Sequence, residues 1–357
     1  MEPRLALLLL CLFPTFCFAG APWPSGIEGD VRFESSEFIL KSANRNPAET
    51  ALNLNKNGAY DEKNKAYDET KNGSWFIDYQ RVGADAVIAG IYNDKNEKDS
   101  LAAIQRGLKI LNWGFDQQQP DGSYTSGDAY HNVSFFLAAA SRAILHLKHS
   151  RYLPMFQGEI EEFTGSIEKT ANWLTRKNIE SEGLRKDEPY THRFYMNAAA
   201  LGFSGVLLKR QDLIQRSFQI LNLGISKQRT DGSNPEKGGT DTGYHCLGLL
   251  FAAQYYSIVA DPQMRLMLQT IGEKAASWIA SKVLTSGDVD SAANTRTGAD
   301  GEKRHGTKSK PVMYYSIYKA LAYWGQIQNR RDLNIKAKQV FEFDREMKRK
   351  QRESIGK

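Results

Sequence analysis

Two kinds of apolar pattern alternate along the chain. The stretches FFLAAASRAI, NAAALGFSGVLL, LGLLFAAQYY and SIYKALAYWG are small or apolar at nearly every position. Between them, QGEIEEFTGSIEKTANWLTRK, DLIQRSFQILNLGI and DPQMRLMLQTIGEKAASWIASK space their apolar residues three and four apart among charged ones. The first pattern belongs to a helix buried on all sides, the second to a helix with one face in water. Strand-like alternation is scarce. The periodicity predicts helices near 76–92, 98–117, 130–149, 158–178, 192–208, 211–227, 242–259, 262–282, 311–326 and 331–349, with Pro and Gly at the joints. Inner and outer helices in strict alternation describe an all-α fold, an incomplete α/α toroid of about five or more helical hairpins between residues 75 and 350.

An internal repeat supports this arrangement. ILNWGFDQQQPDGSYTSGDAYHN (110–132) and ILNLGISKQRTDGSNPEKGGTDTGYHC (220–246) both run from Ile-Leu-Asn through Gly and Gln to Asp-Gly-Ser, then close on an aromatic followed by His. A repeated unit of helix, turn, loop and helix fixes the fold class before any local argument. Asp121 and Asp231 are turn formers, since Asp-Gly suits a tight turn. In such a ring the inner helices run parallel and their N-termini gather at one mouth. Helix N-termini carry partial positive charge and free N–H groups, so that mouth favours anions.

The N-terminus differs from the rest. Arg4 precedes LALLLLCLFPTFCF and small residues around 19–21, which reads as a cleaved signal peptide over 1–21 and places the protein in the periplasm or outside the cell, without stable membrane insertion. Cleavage removes Glu2 and Arg4, so the net charge stays at +6, now as 46 basic less 40 acidic residues. It also removes Cys11 and Cys17, leaving Cys246 alone and no cysteine-based disulfide or metal site. Residues 22–74 form a polar arm without a predicted structure, 75–350 the toroid, and 351–357 a basic tail.

The alternating hairpins, the two Asp-Gly-Ser turns and the Asn, His, Tyr and Arg residues at the inner helix starts resemble the α/α-toroid polysaccharide lyases that act on uronic-acid polymers such as alginate or glucuronan. The resemblance covers roughly residues 75–330 and implies β-elimination. One group takes the weakly acidic C5 proton, another protonates the leaving glycosidic oxygen, and a third set neutralises the uronate carboxylate. By position, Tyr244 and His245 are the leading proton-transfer candidates, with His192 and Arg193 on the neighbouring inner helix. Arg193 and Asn197, four apart, share a face and could neutralise a carboxylate together. His131 and Asn132 supply a third such group, Arg304 and His305 lie in the loop GADGEKRHGTKSK, and Tyr124 and Tyr315 could contact sugar. A first-turn histidine is biased toward its neutral form, because the helix dipole opposes protonation.

The bland readings stand beside these. Tyr314 and Tyr315 diverge on a helix, so one belongs to the core; Trp113 is packing, and Cys246 a small buried hydrophobe. The partner expected is an anionic polysaccharide, with no cofactor, no metal and no nucleic acid; phosphate-loop and HExxH motifs are absent from the sequence. Two alternatives remain open: a glycoside hydrolase using carboxylates such as Asp128, Glu236 and Asp241, or a glycan-binding protein without catalysis. Asp128 and Asp241 are also natural helix caps.

Overall fold

The structure, a computed structural model, describes residues 58–60, 67–68, 73–92, 97–258, 262–299, 301–304 and 308–355. The expected leader and most of the arm lie outside the described residues, as does His305. Eleven α-helices are present among them: α1 Val82–Tyr92, α2 Glu97–Asp116, α3 Ala129–Lys148, α4 Gln157–Leu174, α5 Lys177–Asp187, α6 Thr191–Leu208, α7 Gln211–Ile225, α8 Thr242–Ile258, α9 Pro262–Lys282, α10 Tyr314–Ile327 and α11 Arg331–Ile355. Three two-residue hairpins decorate them: β1 Tyr67–Asp68 with β2 Gly73–Ser74, β3 Pro235–Glu236 with β4 Gly239–Thr240, and β5 Lys303–Arg304 with β6 Lys308–Ser309.

The inner layer is α1, α3, α6, α8 and α10, each packed on the next, and each is backed by an outer partner: α2, α4, α7, α9 and α11. This is the all-α toroid of five hairpins. It is incomplete, since α10 and α1 do not pack against each other as the other neighbours do. Burial follows the sequence pattern. Every residue of α8 except Tyr244 is buried, whereas α7 buries one stripe of Leu213, Ser217, Ile220, Leu221 and Gly224. Small residues let the inner helices approach: a Cβ on Gly248 would stand 3.1 Å from the Cα of His192. No helix among the described residues is long and apolar enough to cross a membrane.

The Asp-Gly-Ser turns explain how hairpins stack. In both, the Asp carboxylate accepts the Ser N–H two residues on (Ser123 to Asp121, 3.0 Å; Ser233 to Asp231, 2.9 Å). The glycines take φ of +88° and +90°. Each turn abuts the next outer helix, where a Cβ would meet the carbonyl oxygen of Lys169 at 2.2 Å or Lys274 at 2.4 Å. A third turn repeats the geometry with Gly287 at φ +86° against the carbonyl of Gln339, although its sequence there is Ser-Gly-Asp. Gly232→Ala therefore combines a left-handed backbone with a steric clash. It is expected to cost at least about 2 kcal/mol in denaturant unfolding.

Two expectations about boundaries change. Helix α10 begins at Tyr314, not 311, so Pro311 precedes the helix as part of the approach to it. The separate helix α5 occupies a stretch read as the end of the preceding helix and a loop, because its mostly polar surface carries no core-facing stripe beyond Gly183 and Asp187. Within the arm, Tyr60 is fixed by Gln80, whose amide accepts its N–H and donates to its C=O, both at 2.9 Å.

Candidate active site at the mouth of the ring

The first turns of the inner helices meet in order around one mouth. The His131 ring on α3 lies 6.3 Å from the His192 ring on α6, which lies 4.8 Å from the Tyr244 ring on α8. A Cβ on Gly243 would stand 2.9 Å from the Cβ of Met313, just before α10. These residues open onto a cavity of about 920 Å³. His131, His192, Tyr244 and Tyr315 line it, with Arg81 and Asp85 on the α1 side and Lys310 and Lys319 on the α10 side.

Three chain segments build the chemistry. The hairpin β3–β4 turns through Lys237 (φ +53°) and Gly238 (φ +84°), a two-residue turn with both central residues left-handed. It is stitched to the approach to α6, as Thr191 Oγ1 donates to the carbonyl of Pro235 at 2.6 Å and Lys237 N–H to that of Pro189 at 2.7 Å. The loop after α9 joins the same hairpin, with Thr295 N–H on the carbonyl of Thr240 at 2.9 Å. Asp241 anchors this loop. Its carboxylate caps α8 through Tyr244 N–H (2.9 Å) and accepts the N–H groups of Arg296 (3.1 Å) and Thr297 (2.7 Å).

The result is a compact polar constellation. Glu236, fully buried, accepts the backbone N–H of His192 at 2.9 Å and holds its Nδ1 at 2.9 Å from both carboxylate oxygens. Arg296 lies with its guanidinium 3.6 Å from the Tyr244 ring centroid and 4.7 Å from that of Tyr190. Its Nη1 is 3.7 Å from Glu236 and its Nε 3.4 Å from Glu302, yet neither nitrogen makes a hydrogen bond among the described residues. Burial pushes Glu236 up to about 8, opposed by the His192 N–H and the Arg296 charge. Burial first, then Arg296 and Arg193, hold His192 well below the usual imidazole range. His131 is lowered in the same way, and its buried Nδ1 has no hydrogen-bond partner among the described residues.

Several candidate residues face elsewhere. His245 is turned away from the cavity toward the outer layer: Asn234 N–H donates to its Nδ1 at 3.1 Å, its Nε2 meets the carbonyl of Ala275 at 3.1 Å, and its ring packs on Trp278. Successive helix positions lie about 100° apart, so Tyr244 and His245 cannot share a face. Arg193 and Asn197 do neutralise a carboxylate together, but an internal one. Arg193 Nη1 reaches Asp187 at 2.7 Å and Asn197 Nδ2 reaches its other oxygen at 2.8 Å, while Arg193 also binds Asp128 at 3.0 Å. Asn132 is buried and donates to Ser126 Oγ. Tyr124 is buried, its hydroxyl bonded to Thr170 at 3.1 Å. Neither faces the cavity. Tyr315 does, and Tyr314 also touches it, with its hydroxyl bonded to Asp288 at 2.6 Å and its ring packed on Phe343. Arg304 lies on β5. Of the expected set, His131, His192, Tyr244 and Tyr315 come together, and Glu236 and Arg296 join them.

His245 carries a stability prediction instead. Burial lowers its imidazole to about 4, so below about pH 6.5 the unfolded chain takes up a proton that the fold refuses. That interaction stabilises the fold above about 6.5 and is lost as pH falls toward 4, a loss on the order of 3 kcal/mol for this group. Burial of His131 and His192 adds to the same trend. The urea midpoint should therefore drop over that window, and His245→Gln should remove about one proton from its slope.

No protein-family model and no curated protein sequence matches the chain. Among solved structures it is similar to the chondroitin AC lyase of Streptomyces coelicolor A3, determined by X-ray in complex with chondroitin sulphate, at a TM-score of 0.55 and 11% identity. The match covers 88% of this chain and 44% of that one, so this chain spans less than half of that enzyme's length. At this identity the likeness is one of fold: the helical toroid is shared. Among the described residues no three His, Cys, Asp or Glu side chains converge as a metal site.

Proposed function

We propose that the protein is a polysaccharide lyase that cleaves an anionic, uronic-acid-containing polymer, of alginate or glucuronan type, by β-elimination at the mouth of the ring. The observation that carries this reading is the His192–Glu236–Arg296–Tyr244 constellation, with both proton-transfer rings against the cavity. With Glu236 ionised, Nδ1–H of His192 donates to it and Nε2 keeps the lone pair that takes the C5 proton. The Tyr244 hydroxyl then protonates the glycosidic oxygen as the C4–O bond breaks, leaving a C4=C5 double bond. Arg296, stacked on the Tyr244 ring behind the cavity wall, supplies positive charge toward the uronate carboxylate as it gains charge, a role assigned from sequence to Arg193 and Asn197. His131 adds a second neutral imidazole beside His192, on the neighbouring inner helix.

The three carboxylates weighed for a hydrolase are each engaged within the fold, which supports the lyase reading over it. Asp241 is committed to the α8 cap and the following loop, Asp128 to Arg193, and Glu236 to His192. The decisive experiment incubates the protein with alginate, polyglucuronate, pectate, chondroitin sulfate and a neutral glycan, and follows the ultraviolet absorbance of the unsaturated uronate. Absorbance growth on uronate polymers alone supports the reading. Reducing ends released without that absorbance mark a hydrolase, and binding without either product marks a glycan-binding protein. Such polymers are met outside the cytoplasm, which agrees with the leader read at residues 1–21.

A further inference from the structure

Below the mouth, the cavity continues down the bore past Tyr315 to Lys319, Arg142 and Gln254. Lys319 is 3% exposed. Its ammonium donates to the Tyr315 hydroxyl at 2.9 Å and lies 4.8 Å from that ring's centroid. Among the described residues it makes no ion pair and the phenol is its one hydrogen-bond partner, so donors remain unused. The other cations in the cavity are placed differently. Arg81 pairs with Asp78, Lys310 with Glu302 and Lys348 with Asp344, while Arg142 reaches Tyr323 at 3.1 Å. Asp85, the remaining carboxylate on the described cavity wall, lies across the opening on α1 and makes no ion pair with Lys319. A buried ammonium without a counter-charge is costly to hold. A cavity wall is where such a cost can be returned by an incoming anion.

We infer that Lys319 forms a second anion subsite inside the bore, which holds a carboxylate or sulfate ester of a sugar unit seated beyond the one being cleaved. Lys319 sits five residues into α10 from Tyr314, which places it on the order of 8 Å down the axis from the first turn. The apolar wall beside it, Leu247, Leu250 and Phe251 of α8, gives a sugar ring a surface to pack on. The subsite deepens the lyase reading by setting which polymers are retained, but the anion site itself does not depend on cleavage.

The test uses binding, so that it stands apart from turnover. Glucuronate, glucose 6-sulfate and glucose are titrated calorimetrically into the wild type, Lys319→Met and Lys319→Arg. The first two probes separate a carboxylate from a sulfate ligand, and glucose measures the uncharged sugar. Charged sugars should bind the wild type more tightly than glucose does, lose roughly 10- to 100-fold in Lys319→Met, and recover in Lys319→Arg, because a charge-assisted hydrogen bond is removed and restored. Inorganic sulfate at constant ionic strength should raise the thermal midpoint of the wild type and leave Lys319→Met unmoved. In sulfate-free buffer Lys319→Met should melt no lower than the wild type, since a buried charge has been removed. Equal affinity of Lys319→Met and wild type for the charged sugars overturns the subsite. So does a Lys319→Met protein that fails to fold, which would make the lysine structural. If the charged sugars bind as expected and no polymer is cleaved, the lyase reading fails and the anion subsite stands.

Discussion

Tyr244→Phe is expected to lower turnover roughly 10²- to 10⁴-fold while leaving substrate binding and the fold nearly unchanged, the loss typical of a proton-transfer group. The expectation rests on placement. Tyr244 is the one residue of α8 that is not buried; it faces the cavity, while its backbone N–H is already held by Asp241. Removing the hydroxyl leaves the ring to stack under Arg296 and against His192. The next residue is expected to behave in the opposite way. His245→Gln should disturb stability and its pH dependence without removing a proton carrier, because both nitrogens of His245 are spent on the backbone of Asn234 and Ala275. Steady-state kinetics and urea unfolding on the two variants measure both halves. A Tyr244→Phe protein that turns over at the wild-type rate would remove the phenol from the mechanism.

That contrast shows where the sequence was informative and where it stopped. Helix placement was legible because burial imposes the three-to-four spacing, and the inner helices announced themselves by losing it. The gathering of inner helix starts at one mouth followed from the toroid alone. Which of two adjacent residues faces the bore did not, because the answer depends on the rotation of α8 about its axis, and α8 is apolar nearly all round and offers no polar stripe to orient it. The pair Arg193 and Asn197 shared a face as its spacing required, but the internal carboxylate of Asp187 came from α5, a helix too polar to be separated from its surroundings. Glu236 was visible only as a candidate acid; its partnership with His192 needs the β3–β4 hairpin to fold back on the approach to α6. Arg296 was missed. The available signal was the length of the polar, glycine-punctuated stretch between α9 and α10, since long connections inside a compact domain tend to carry function. The third turn, at Gly287, was missed for a simpler reason: its Asp follows the glycine instead of preceding it.

Glu236→Gln carries the other large expectation, and it separates positioning from charge. In the wild type the carboxylate accepts the His192 N–H and faces Nδ1, and the nearby Arg296 guanidinium favours its ionised form. Burial nevertheless pushes Glu236 up to about 8. Below that pH the carboxyl keeps its proton and can donate it to Nδ1, which places the remaining imidazole proton on Nε2 and removes the base. Above it the carboxylate accepts from Nδ1–H and Nε2 is free. Activity should therefore rise with pH through about 8, as a property of the coupled pair more than of either residue. Glutamine keeps the shape and can offer its amide N–H to Nδ1, which fixes the inactive tautomer at every pH. The variant should fold, lose roughly 10²- to 10⁴-fold in turnover, and show no such rise in its residual rate. The profile of kcat/KM against pH for the two proteins is the measurement. A Glu236→Gln enzyme that keeps both its rate and its alkaline rise would show that His192 does not depend on this carboxylate, and the base would then have to be sought at His131, whose Nδ1 stands unpartnered among the described residues on the neighbouring helix.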